Sequence, residues 1–374
     1  MPSGTPPPTP SQPRDTAALR RLRAARFRAL GPTDWRPEAG WNLIYGPNGS
    51  GKSSLLEAIY LTATGKSFRT PTLAECCARG EESFLVQAEV EREGSWDLAL
   101  ACSPEGRRLT LQERPSAVAE HLALLPVVAW SEADRDLVAG PAANRRRFVD
   151  RAALLLRPPR LAEHAELHRV LAQKRHLLAA RARGSAAELG AWNELLAPLV
   201  ARRAAERAEL VRRLEASAGA LLVRQGSDLP ALRLTYQPSP PTALAGAAAV
   251  AEALTGAERS ERDRGQPLVG PQRDRIEILL ASSAARRSPS AGERKVVVLS
   301  LLAGLAQLLT SGGRAPLVLL DDLDAELDRE RLALAAGLFS GAPQVVATSS
   351  RPEAFEGLLL GARWELAKGV ISAA

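Results

Sequence analysis

One loop constrains this chain more than any other feature. Residues 46–53 read Gly-Pro-Asn-Gly-Ser-Gly-Lys-Ser, matching the phosphate-binding pattern G-x-x-x-x-G-K-[ST] at every fixed position. Polyphosphate is densely negative, and backbone N–H groups can surround it only where no Cβ intervenes. Gly46, Gly49 and Gly51 remove that obstacle. Lys52 is placed to reach the β- and γ-phosphates, and the Ser53 hydroxyl to ligate Mg²⁺. The run Trp41-Asn42-Leu43-Ile44-Tyr45 before the loop reads as a buried strand. The helix opening at Ser53-Ser54-Leu55 turns its positive end toward the phosphates. This order of strand, loop and helix separates the motif from a chance glycine-rich turn. The expected nucleotide contacts are Gly46, Pro47, Asn48, Gly49, Ser50, Gly51, Lys52, Ser53 and Ser54.

A length of 374 residues suggests two or three domains, and 45% hydrophobic residues suffice for a core. The net charge of +7 is carried mostly by arginine, whose guanidinium fork pairs with phosphate. Genome composition alone could also enrich arginine, since alanine is abundant too. The three cysteines, Cys76, Cys77 and Cys102, make a poor disulfide framework and a poor zinc site, which points to a reducing cytoplasm. No uninterrupted apolar run approaches a membrane span. The proline-rich residues 1–16 lack the apolar core of a secretory signal and read as a disordered leader.

Residues 17–155 read as a first α/β part. Leu19-Arg20-Arg21-Leu22-Arg23 and Phe27-Arg28-Ala29-Leu30 read as two short strands, the second leading to a Gly31-Pro32 turn. Alternating runs at 84–90, 96–100 and 108–111 predict an antiparallel meander. Residues 156–262 change texture to alanine, leucine, arginine and glutamate. They predict a helical hairpin turning at Gly184-Ser185, with arms of about 35 Å or somewhat more. Pro198 is expected to bend or break the second arm. His164 and His168, four apart, have a metal-compatible spacing but no evident third ligand. The alanine-rich run after Pro238-Ser239-Pro240-Pro241 reads as a connection. Residues 263–374 return to α/β and end in a hairpin around Gly369.

Pro316-Leu317-Val318-Leu319-Leu320-Asp321-Asp322 has the form of a Walker B strand. Asp321 would hold Mg²⁺ with Ser53, and Asp322 sits where a general base could polarise a water in line with the γ-phosphate. Ser290-Ala291-Gly292-Glu293-Arg294 opens a long apolar helix. It reads either as a second anion-binding helix start, through Ser290 and Gly292, or as an ordinary serine cap. One nucleotide needs one phosphate loop, so the economical reading gives the second site to a nucleotide held by another copy of the chain. Two ATP molecules would then be clamped in a homodimer.

Together with Ala325-Glu326-Leu327-Asp328, these motifs resemble the ABC-type heads of the SMC and Rad50 proteins. More narrowly, the chain resembles the RecF family of bacterial DNA-repair proteins. The marks are Tyr45-Gly46-Pro47-Asn48-Gly49, Ser67-Phe68-Arg69-Thr70, Arg146-Arg147-Phe148-Val149-Asp150, Gly270-Pro271-Gln272-Arg273-Asp274 and the Ser-x-Gly-Glu-Arg helix start. The resemblance runs from about residue 17 to the end. It implies an α/β ABC-type ATPase head, with a P-loop sheet and an antiparallel β meander, plus an inserted helical hairpin. It also implies ATP and Mg²⁺ as cofactors, Lys52 and Asp322 as catalytic residues, and Asp328 beside the nucleotide. ATP-dependent dimerisation on duplex or gapped DNA is implied, with weak DNA-dependent ATP hydrolysis and RecA loading together with RecR and RecO. Arg145, Arg146 and Arg147 are candidate DNA contacts. Aromatic residues are only 4%, which disfavours base stacking, so contact should be mainly to backbone phosphate. The chain departs from the family at Gln272 and Arg275, where histidine and aspartate are usual, and at Ala291, where glutamine is common. Thr348-Ser349-Ser350 stands where ABC transporters carry a switch histidine. That departure and the long insertion argue against the competing reading, a transporter's ATP-binding subunit. Another SMC-like ATPase is the remaining alternative.

Overall fold

In the computed structural model, which describes residues 16–179, 186–281, 289–358 and 361–374, the strand–loop–helix unit lies between two sheets. The proline-rich leader and the Gly184-Ser185 turn fall outside the described residues. The first sheet is antiparallel: β1 (Ala18–Ala25), β2 (Thr33–Trp35), β4 (Phe84–Glu91), β5 (Ser95–Ser103), β6 (Gly106–Leu111) and β7 (Arg114–Pro115), in the order β2-β1-β4-β5-β6-β7. The expected meander is β4-β5-β6, with Phe84 opposite Cys102 and Leu98 opposite Leu111. Phe27–Leu30 is not a strand. Arg26 and Arg28 take left-handed backbone there, and Phe27 only bridges Cys77, so the second strand forms beyond Gly31-Pro32 as β2.

The second sheet holds β3 (Gly40–Tyr45), β8 (Val127–Trp130), β11 (Leu317–Leu320), β12 (Gln344–Ser349), β13 (Gly361–Ala367) and β14 (Val370–Ala373). Its order is β14-β13-β3-β12-β11-β8. All neighbours are parallel except the β13-β14 hairpin, which was legible around Gly369. β11 is buried at every residue because both faces of the sheet are covered. Period two sorts its side chains: Leu317 and Leu319 enter one core, Val318 and Leu320 the other.

Helix α1 (Lys52–Thr64) lies between the sheets, with Leu55, Leu56, Ile59 and Leu61 fully buried. Each such side chain contributes roughly 1.5–3 kcal/mol relative to exposure. The opposite face of the parallel sheet is covered by α3 (Ala142–Leu156), α7 (Ala291–Ser311) and α8 (Arg329–Leu338), while α2 (Val118–Leu124) leads into β8. Among the described residues α7 alone is long and apolar enough to cross a membrane. It is the core helix of this layer, 72% buried over its apolar window.

The helical region contains α4 (Leu161–Ala179), α5 (Ala186–Arg224) and α6 (Ala247–Arg264), with a core of its own that includes Leu167, Val170, Leu196, Val200, Val250 and Leu254. The structure adds detail to this region and corrects it in places. Within the described residues the arms span 19 and 39 residues, or about 28 and 58 Å at the α-helical rise. The second arm also continues through Pro198, where Leu196, Ala197 and Val200 are packed on both sides of the proline. The alanine-rich run is not a plain connection but α6, as alanine's helix propensity favours. α5 enters both cores. Its later residues Leu210, Leu214, Ala218 and Leu221 pack with α7, and the crossing is close: a Cβ on Gly304 would stand 3.0 Å from the Ala218 backbone nitrogen. A two-stranded ribbon, β9 (Ala231–Gln237) with β10 (Arg275–Ala281), completes the junction.

Candidate nucleotide-binding site

The phosphate loop joins β3 to α1. Gly51, the residue before the helix, has φ +110, a left-handed backbone suited to glycine. Gly46 is required by close approach, since a Cβ there would lie 2.1 Å from the Leu366 carbonyl oxygen on β13. No side chain caps the N-terminus of α1, and its first turn carries no acidic residue, so its free N–H groups face the loop. The Lys52 ammonium, 5% exposed, donates to the carbonyls of Gly46 (2.8 Å) and Pro47 (3.1 Å).

The loop meets the Walker B strand through side chains. Ser53 Oγ donates to Asp321 Oδ1 at 2.9 Å, and Thr348 Oγ1 donates to the same oxygen at 2.8 Å. Burial pushes the Asp321 carboxyl up, and these two hydrogen bonds partly oppose it. Thr348 Oγ1 also accepts from the Asp322 backbone N–H at 2.7 Å. The hydroxyl at the switch position therefore ties both carboxylate residues to β12. Asp322 is exposed and has φ +44. These groups open into a cleft of about 600 Å³, lined in part by Ser53, Arg69, Trp130, Lys295, Asp321 and Asp322. That volume lies within the range of small-molecule sites, roughly 300–1,000 Å³.

The Ser67-Phe68-Arg69-Thr70 loop is fixed by a residue the sequence reading did not single out. Glu57 on α1 is fully buried and takes a forked pair of bonds from Arg28 (3.0 and 2.8 Å) and one from Arg69 (3.4 Å). Ser67 Oγ donates to the same carboxylate and accepts from the N–H groups of Arg69 and Thr70. The available signal was a glutamate amid the apolar residues of a helix buried on nearly every side.

Ser290 caps α7. Its Oγ accepts from Glu293 N at 3.2 Å, and Glu293 Oε2 accepts from Ser290 N at 2.6 Å. Asp328 caps α8, accepting from Arg331 N at 2.8 Å, and Arg331 also pairs with Glu293 at 3.6 Å. Gly292 is buried, its Cβ position only 2.9 Å from the Glu326 carbonyl oxygen. Ser290 and Asp328 are exposed, and neither they nor Gly292 line this chain's own cleft.

The arginine run on α3 divides. Arg145 donates to the carbonyls of Ile276, Leu137, Val138 and Gly140, and Arg146 donates to the carbonyl of Asp274. Arg147 is exposed and, among the described residues, bonds locally to Asn144. Asp150 of the same motif holds Arg207 of α5 by a forked pair at 2.9 and 2.8 Å. Arg207 also reaches Asp274 at 2.6 Å, and Asp274 further accepts from Tyr236 OH and Ser239 N. The two family-like motifs thus meet in one buried ionic hub. The neighbouring Arg151 reaches Asp134, just beyond β8, at 2.8 Å. His164 is occupied by Glu206 at 3.1 Å, and among the described residues no cluster of three or more His, Cys, Asp or Glu could hold a metal ion.

Comparison with known proteins agrees with this geometry. A family model described as an AAA domain matches residues 21–92. The chain is 32% identical over 352 residues to a DNA replication and repair protein RecF from Acidothermus cellulolyticus, spanning 90% of this chain and 94% of the relative. It is 36% identical over 325 residues to a protein of the same description from an Anaeromyxobacter species, spanning 83% and 86%. Among solved structures it superposes on the recombination mediator protein RecF–ATP of the RecFOR pathway with a TM-score of 0.84 at 23% identity, covering 98% of this chain and all of that one. An Smc head bound to the C-winged helix domain of ScpA gives a TM-score of 0.58 at 14% identity, covering 95% and 96%. The fold is the α/β head shared by these ATPases.

Proposed function

This chain belongs to the RecF family of DNA replication and repair proteins, and we propose that it is an ATP-operated clamp acting on DNA. The observation that carries the reading is the Ser53–Asp321 hydrogen bond, which joins the phosphate loop to the Walker B strand. Residues 46–54 bind the phosphates of ATP, and Lys52 leaves its two loop carbonyls to meet them. Ser53 and Asp321 suit Mg²⁺: both offer hard oxygen donors, and a cation there would keep the buried Asp321 ionised. Bound Mg²⁺ would neutralise phosphate charge during transfer. Asp322, exposed to the cleft, orients and deprotonates the attacking water. Ser290, Gly292 and Asp328 serve the nucleotide of a second copy; Ser290 and Asp328 are exposed at the helix starts.

In this reading ATP joins two heads into a homodimer, with residues 156–262 as an inserted helical domain, and slow hydrolysis resets it. DNA stimulates turnover and is held through phosphate contacts. Of the three α3 arginines, Arg147 is the one free to make them, since Arg145 and Arg146 are committed to backbone carbonyls. We further propose cytoplasmic partners, RecR and RecO, with RecA loaded at single-strand gaps; a solved relative's own name places that relative in a RecFOR pathway.

The test is ATP turnover by the purified protein with and without duplex DNA. Wild type should hydrolyse slowly and faster with DNA. Lys52→Ala should bind no ATP. Asp322→Asn should bind ATP, remain dimeric and turn over at least about 100-fold more slowly. A DNA-independent rate, or full activity in Asp322→Asn, would contradict the reading.

A further inference from the structure

Lys295 lies just over one turn into α7 from Ser290, and it is not a surface lysine. It is 4% exposed. Its ammonium donates to the carbonyl oxygens of Asp322 and Ala325, each at 2.8 Å, and stands 5.3 Å from the centre of the Trp130 ring. Those carbonyls belong to a turn with unusual backbone at both ends: Asp322 has φ +44 and Glu326 has φ +66. Non-glycine residues hold left-handed backbone only where the surroundings over-determine it.

Here the restraints are visible. Thr348 takes the Asp322 N–H, Arg351 holds Asp324 at 2.9 Å, and Arg135 holds Glu326 at 2.6 Å. Lys295 ties both ends of the turn together, and of these restraints it is the one supplied by the helix that Ser290 caps. Burial lowers the Lys295 pKa to about 8, with Glu326, Asp324 and Asp322 opposing the shift.

We propose that Lys295 is a positioning residue for ATP turnover, holding the Asp322 backbone in its left-handed conformation and locking it to the start of α7. Whatever engages the tip of α7 is then felt at Asp322 through a rigid link about one helical turn long. The proposal rests on Asp322 acting on the attacking water.

Lys295→Met keeps the length of the side chain and removes the donors; Lys295→Arg restores them. Steady-state turnover and equilibrium binding of a fluorescent ATP analogue are measured for both, beside Asp322→Asn. Lys295→Met should lower kcat about tenfold or more, with KM and analogue affinity within about twofold of wild type, and Lys295→Arg should recover part of the loss. A wild-type kcat in Lys295→Met overturns the proposal. So does a parallel loss of binding and turnover that arginine fails to rescue, the pattern of a merely structural lysine. If the methionine variant does not fold, Lys295→Gln, which keeps a neutral donor, is held to the same split between kcat and KM. Asp322→Asn separates the two ideas. Wild-type turnover there removes the premise, whereas an inactive Asp322→Asn beside a fully active Lys295→Met removes only the role of Lys295.

Discussion

Glu57 illustrates how a single residue can govern a site it does not line. Its carboxylate is fully buried, is met by Arg28 through two bonds, and carries the Ser67–Thr70 loop on its remaining hydrogen-bonding capacity. Removing one partner of such a pair leaves the other charge stranded. Glu57→Ala should therefore cost about 3–5 kcal/mol, read as a lower midpoint in urea unfolding. Arg69 would lose its anchor as well. An unchanged midpoint would show that Arg28, 19% exposed, is solvated well enough to stand alone. Glu57 was not legible as a site residue, whereas Lys52, Ser53 and Asp321 were. The legible residues belong to local patterns in which each type is demanded by phosphate or cation chemistry. Glu57, Thr348 and Lys295 act through partners 10 to 29, 26 to 27 and 27 to 30 positions away, which no local pattern reports.

At the scale of elements, α5 decides how the helical region and the head are joined. Its early half packs with α4 and α6, and its later half crosses α7 at Gly304. Between the two halves lie Arg203, Glu206 and Arg207, a charged belt facing α3, α4 and the Gly270–Asp274 turn. Burial alone would raise Glu206, yet the hydrogen bond with His164 and the charge of Arg203 hold its pKa down to about 2, against an ordinary 4.5. Its folded pKa is depressed, so its contribution is complete above about pH 4.5 and is lost as pH falls toward 2. Glu206→Gln should thus destabilise the protein by about 2–3 kcal/mol at neutral pH. The gap to wild type in thermal melts should narrow steadily between pH 4.5 and the acid limit, and a constant gap would deny the linkage. Sequence texture announced these helices but not their lengths. Alternating strands and apolar runs were equally plain. The strand after the Gly270–Asp274 turn was legible as well, but β9, its pairing with β10 and α3 were not, because the ribbon's two strands are far apart in the chain and the arginines of α3 mask a helix whose buried face is Phe148, Val149, Ala152 and Leu155.

Taken whole, the proposal gives the molecule two anion-directed features. One is the loop at α1 with its cleft, where Ser53 meets Asp321 and Thr348 holds the same carboxylate. The other is the exposed start of α7 beside that of α8, where, among the described residues, Ser290 and Asp328 cap their helices and Glu293 pairs with Arg331. Ser53 is among the residues that line the cleft, whereas Ser290 and Asp328 are not. The dimer reading reconciles them. The most direct measurement is light scattering of the purified protein with and without ATP and Mg²⁺, wild type beside Ser290→Arg. The account predicts that wild type doubles in mass on ATP, while Ser290→Arg binds ATP with ordinary affinity and remains a monomer. A Ser290→Arg protein that dimerises on ATP as wild type does, or a wild type that stays monomeric when saturated with ATP, would contradict it.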